Sequence, residues 1–251
     1  MKLVALALPP KDAAPALKFL CETAGYAPAE ARMRLAGEPP LILARLDDAP
    51  AEALCGALRK IGLAALTVPG RPPGDADRLV ARTLRFTPEA VFFSPRMGAE
   101  LEVPFAAITA LLRGLQVSRE QGVRTETERK FSLGKAIITQ GFSMTTTEKK
   151  EVKFETSIAD QFLLIYGGAK PVAVYESEVG FTCLGPDVRP SRIENLNLVS
   201  SRIRAKAPGA YFDDRLLRMG HRSLPFDGGR PADVVAELLH QAVDQGLLRA
   251  G

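Results

Sequence analysis

Gly141-Phe142-Ser143-Met144-Thr145 falls one residue short of the GxSxG nucleophile elbow, the sharp turn that exposes a serine for attack on a carbonyl. Thr145 stands where the final glycine would let the chain turn, and threonines and lysines follow instead of a helical pattern. The motif is set aside. With only His221 and His240, a metal centre or a Ser-His-Asp triad has few candidates. His240 falls on an expected surface helix beside Gln241, and His221 follows Gly220 in a basic loop. Neither belongs to HExxH or another ligand-spaced pair, so both read as solvated or structural. Gly134-Lys135 lacks the earlier glycine and the following Ser/Thr of a P-loop, and Gly167-Gly168-Ala169-Lys170-Pro171 reads as a turn. Asp213-Asp214 before Arg215 reads as a solvated helix start. Cys21, Cys55 and Cys183 are odd in number and contain no CxxC pair, which is the usage of reduced thiols in a cytosolic protein, and Cys21 and Cys55 fall on apolar helix faces as small core residues. The expectation is no catalytic residue, no cofactor and no metal. An enzyme of unrecognised type ranks third among the functions considered.

What remains is charge. The formal net charge is +4 and the pI about 9.0, too mild alone to argue for nucleic acid. The absence of Trp and the 6% aromatic share also disfavour a base-stacking platform. Residues 116–153 hold eight Lys/Arg against five Glu. Arg129, Lys130, Lys135, Lys149, Lys150 and Lys153 flank the apolar Ala136-Ile137-Ile138 and Phe142. A long hairpin of this composition could reach anionic lipid or nucleic acid, each cation contributing about 1 kcal/mol at a membrane surface. The preferred reading of the segment is a polar strand connection. A second basic stretch, from Arg189 to Arg222, has neither interleaved aromatics nor a helix-turn-helix, so a nucleic-acid partner is disfavoured.

The elements that must position these groups begin with a β-α-α-β-α-β order over residues 2–68. Leu3–Leu8 is a continuous apolar run, and Asp12 and Pro15 open a helix carrying Leu17, Leu20, Cys21 and Ala24 at helical spacing up to Gly25. Pro28 opens a second helix to Leu35, and Leu41–Leu46 is the second strand. Asp47 or Asp48 caps a third helix, which buries Leu54, Cys55, Leu58 and Ile61 and ends at Gly62. Leu63–Val68 is the third strand. This stretch resembles the C-terminal domain of the bacterial ribosomal stalk protein, a fold shared with the Clp protease adaptor. The likeness rests on residues 16–20, on Ala24-Gly25-Tyr26-Ala27-Pro28-Ala29-Glu30-Ala31-Arg32 and on residues 51–62. It implies a protein-binding surface on the first two helices. Lys18 and Arg32 match basic positions there, Phe19 and Arg34 adjoin them, and Cys21 stands where the stalk domain has a further basic residue.

Pro69-Gly70-Arg71-Pro72-Pro73-Gly74-Asp75 reads as a semi-rigid spacer, and residues 69–77 as the linker. Beyond it, strands are expected at Val80–Phe86, Ala90–Ser94, Leu101–Phe105, Ile108–Leu115, Lys135–Thr139, Lys153–Thr156, Phe162–Tyr166, Val172–Tyr175 and Gly180–Cys183. A helix follows over Ile193, Leu196, Val199 and Ile203. Residues 78–222 resemble in this order a bacterial pleckstrin-homology-like domain, which implies a β-barrel plugged by that helix. Pro231–Leu248, within a C-terminal segment 223–251, is a helix with a continuous apolar stripe of Val234, Val235, Leu238, Leu239, Ala242 and Val243. The stripe docks on its own barrel or forms a homodimer seam.

The apolar run at the N-terminus stops at Pro9-Pro10, too short for a signal peptide, and no other run reaches the roughly 18 residues of a membrane span. The expectation is a cytoplasmic α+β protein: the stalk-like module, the linker, the barrel-like domain and C-terminal helices. Its expected function is that of a non-catalytic adaptor or scaffold for an unidentified protein partner. Attachment to an anionic surface through residues 116–153 is the alternative.

Overall fold

A computed structural model describes residues 1–131, 145–219 and 230–250, with side chains between 118 and 158 outside the description. The N-terminal order is β1 (Lys2–Leu6), α1 (Ala13–Glu22), α2 (Pro28–Leu35), β2 (Leu41–Leu46), α3 (Asp48–Lys60) and β3 (Ala65–Pro69). Local chemistry accounts for the boundaries. Asp12 accepts the Ala14 N–H at 2.9 Å to cap α1, and Pro28 occupies the first turn of α2, where its missing N–H costs little. Gly62 ends α3 with a φ of 82°, a left-handed conformation that favours glycine. β1 is the central strand of an antiparallel β2-β1-β3 sheet. Its pleat sends Val4 and Leu6 towards α1, α2 and α3, and Leu3 and Ala5 to the opposite face.

The second sheet contains β4 (Leu79–Phe86), β5 (Ala90–Pro95), β6 (Leu101–Pro104), β7 (Ala110–Phe131), β8 (Thr145–Tyr166), β9 (Val172–Tyr175) and β10 (Tyr211–Arg215). Its order is β10-β7-β8-β9-β4-β5-β6, parallel at β10/β7 and β4/β9 and antiparallel at β8/β9, β4/β5 and β5/β6. The α+β class stands, but the expected barrel does not. β10 and β6 are edges that do not pair with each other, so the sheet is open. The physical reason lies in its central strands, which are apolar on both faces. Leu163, Ile165, Val172 and Val174 pack with α4 (Arg192–Lys206), whereas Phe162, Leu164, Tyr166, Ala173 and Tyr175 face the other way. A sheet with both faces covered by helices gains nothing by closing on itself.

The cover on that second face is α6 (Pro231–Asp244); a four-residue turn, α5 (Leu216–Met219), follows β10. One cluster joins Leu3, Ala5, Leu66 and Val68 of the first sheet to Leu112, Phe162 and Leu164 of the second through Val234, Leu238, Leu239 and Ala242 of α6. The helix is a shared middle layer, buried on both sides, as a helix apolar around much of its circumference must be. Its apolar stripe is thereby covered by the chain's own two sheets.

The proline–glycine segment also packs. Gly70 and Pro72 are buried, Gly70 donates to the Met1 carbonyl at 3.0 Å, and residues 75–77 form a 3-10 turn. Gly180–Cys183, expected as a strand, leads instead into a 3-10 turn (Thr182–Asp187) that turns Phe181 and Leu184 into the core beside α4. Met1–Gln116 with Asp160–Gly251 forms one compact unit and Val117–Ala159 another. No helix among the described residues is long and apolar enough to cross a membrane.

Candidate functional site

α2 is the most outward-facing helix of the N-terminal module. It buries only Ala31, and Met33 is 79% exposed between two arginines. Arg32 is exposed, as is Lys18 on the adjoining α1, while Phe19 is half-buried against the core beneath the helices. Lys18 and Arg32 form no ion pair among the described residues.

Arg34 is differently placed. It pairs with Glu30 at 2.9 Å, stacks over the Tyr26 ring at 5.0 Å, and its Nη1 donates to the Leu43 carbonyl at 2.6 Å. Tyr26 Oη donates to the same carbonyl at 2.9 Å. Leu43 lies on β2, an edge strand whose outward backbone groups would otherwise be open to another strand. Arg34 and Tyr26 therefore seal that edge, and Arg34 is occupied within the fold. Met33 was not singled out from the sequence. Its signal was legible all the same: one long apolar side chain between arginines on a short polar helix.

Arg129 and Lys130 fall on β7, and Lys149, Lys150 and Lys153 on β8, with side chains outside the described residues; Lys135 lies wholly outside them. Ser143 and His221 also lie outside. His240 is half-buried and structural. It stacks on Tyr166 with ring centroids 4.0 Å apart and lies 3.5 Å from Asp244. Asp213 is buried on a strand rather than solvated at a helix start. It accepts the Tyr211 phenol at 2.5 Å and pairs with Arg215 at 2.7 Å. Burial raises the Cys55 and Cys183 thiols, which disfavours their reactive thiolate form. Among the described residues, no group of three His, Cys, Asp or Glu is placed to hold a metal ion.

The layer around α6 contains an ionic network, buried at Arg78 and Asp233 and reaching the surface at Asp75 and Arg230. Arg78 Nη1 meets Asp233 at 2.5 Å, with side chains 1% and 9% exposed. Arg230 Nε reaches Asp233 at 2.6 Å, Nη2 reaches Asp75 at 2.9 Å, and Nη1 reaches Gln116 at 2.5 Å. Tyr175 donates to Asp75 at 2.5 Å. Burial works against the Arg78 charge, but Tyr166 and Asp233 hold its pKa above the ordinary arginine value. Burial alone would raise Asp75, yet hydrogen bonds from Arg230 and Tyr175 hold it below the usual carboxylate range. Arg78 Nε and Nη2, and Tyr166 Oη nearby, are buried without a hydrogen-bond partner. The network joins the 75–78 segment to α6.

No family model, curated protein or solved structure matches the chain.

Proposed function

We propose that this protein is a non-catalytic adaptor that binds another protein through the outer face of α1 and α2. The observation that carries the reading is Met33, 79% exposed beside exposed Arg32 on a helix that buries Ala31 alone. Lys18 on α1 adds a cation on the adjoining helix. An apolar anchor with flanking cations suits a partner surface that offers a small apolar pocket rimmed by carboxylates. The test is affinity capture of the full chain at moderate salt beside two variants, Met33→Glu and Lys18→Glu/Arg32→Glu. A stoichiometric protein retained by the native chain and lost from both variants, with unchanged circular dichroism, supports the reading. Equal retention by all three chains overturns it.

A second reading has its own observation. Val117–Ala159 forms a compact unit built on the extended strands β7 and β8, within a segment where cations outnumber carboxylates. This suits attachment to an anionic lipid surface. Salt-sensitive sedimentation with anionic vesicles, lost on neutralising Lys149, Lys150 and Lys153, would favour it over the adaptor reading.

A further inference from the structure

A cationic cleft of ≈ 440 Å³ opens at the start of β4. Its charged lining is Arg78, Arg82, Arg96 and Lys170 against Asp75 alone. The carboxylate is already spent on Tyr175 and Arg230. Arg82 is paired with Glu178 at 3.1 Å. Arg78 is buried and committed to Asp233, so it lends the cleft its charge from beneath rather than a free donor. Arg96 and Lys170 are exposed and form no ion pair among the described residues.

The backbone brings these cations together from distant parts of the chain. Arg96 lies in the β5–β6 connection beside Gly98, which turns with a φ of 110°. Lys170 lies in the β8–β9 connection. Gly167, at a φ of 124°, lets that connection press against the backbone of Ala107, where a Cβ would collide with the carbonyl oxygen. Pro171 then accepts the Leu79 N–H at 2.9 Å, which ties the same connection to β4. The β8–β9 connection is thus fixed to the start of β4, and with the β5–β6 connection it lines the cleft with an excess of positive charge.

We propose that this cleft binds a phosphate-bearing anion. The exposed Arg96 guanidinium and Lys170 ammonium line it, and phosphate oxygens accept several charge-assisted hydrogen bonds at once. The cleft falls within the roughly 300–1,000 Å³ common for small-ligand sites. The assignment is independent of the α1–α2 reading, because it uses none of the same residues. The phosphate could belong to a soluble molecule or to a lipid headgroup, and Met97, 87% exposed beside Arg96, is placed to meet an interface in the second case.

Inorganic pyrophosphate titrated into the full chain at low salt, followed by calorimetry, tests the site. The expected result is saturable 1:1 binding that weakens as salt rises, and about tenfold or more weaker in Arg96→Ala/Lys170→Ala. Both residues are exposed, so the double variant keeps the fold. Arg78 variants are avoided because they disturb the buried pair. Phosphatidylcholine vesicles with and without phosphatidic acid separate the two sources. Sedimentation only with phosphatidic acid, lost in the double variant, assigns a headgroup. Pyrophosphate binding without sedimentation assigns a soluble ligand. No saturable pyrophosphate heat, or equal binding by the double variant, overturns the proposal.

Discussion

α2 and α6 are both opened by a proline, yet the fold treats them in opposite ways. α2 buries Ala31 and leaves Met33 and Arg32 outside; α6 buries apolar and charged residues alike, including Asp233 and Glu237. The difference follows from what each helix meets. α2 lies at the outer layer of a three-stranded sheet and needs only one side covered. α6 lies between two sheets, so polar residues that would point to water on a surface helix must instead find buried partners. The proposed binding surface is on the first helix, and the second holds buried apolar and ionic contacts of the fold.

The largest expected effect breaks the ionic part of the α6 layer. Asp233→Ala leaves the Arg78 guanidinium buried without its counter-charge, which costs about 3–5 kcal/mol. Urea denaturation should register this as a lower midpoint with little change in slope. A loss below about 1 kcal/mol would mean that water reaches Arg78 when the carboxylate is removed, and the two helices would then differ less than the geometry implies.

Apolar truncation sharpens the same contrast. Leu238→Ala removes a fully buried side chain from the layer between the sheets, for an expected loss of about 2–5 kcal/mol. Met33→Ala removes a side chain already in water and should stay within about 0.5 kcal/mol. Thermal unfolding of the pair measures both. A destabilised Met33→Ala chain would place that methionine in the fold and remove the anchor from the adaptor reading.

Much of this architecture was legible, and the failures have causes. β2 and β9 follow their expected bounds, Leu41–Leu46 and Val172–Tyr175, because each is a short apolar run between turn residues. The open sheet was written in those same runs. Phe162–Tyr166 and Val172–Tyr175 do not alternate with polar residues, as strands with one wetted face would, so both faces had to be covered. β10 was missed because Tyr211-Phe212-Asp213-Asp214-Arg215 carries three charges in five residues. Asp213 is tolerated inside only through Tyr211 and Arg215, partners that no period reveals. At the candidate site, the Glu30–Arg34 pair was implied by its i,i+4 spacing. The Arg34 contact with Leu43 depends on how α2 lies across an edge strand, which sequence spacing does not encode.

The smallest expected effect concerns pH. Asp75 sits where the packed linker meets α6, and Arg230 and Tyr175 hold its pKa below the ordinary aspartate value. In the unfolded chain it returns to about 3.9. Its contribution to stability is therefore complete above about pH 5 and is lost as the pH falls through the lower, folded value. Because the side chain is 43% exposed, solvent screens the pair and the effect is modest. Urea midpoints should stay level from neutral pH to about 5 and then decline. Asp75→Asn should lower the midpoint at neutral pH and flatten the decline. If the Asn variant matches the native chain at neutral pH, Arg230 is held by Asp233 and Gln116 alone, and the grip of α6 on the linker rests on the buried Arg78–Asp233 pair.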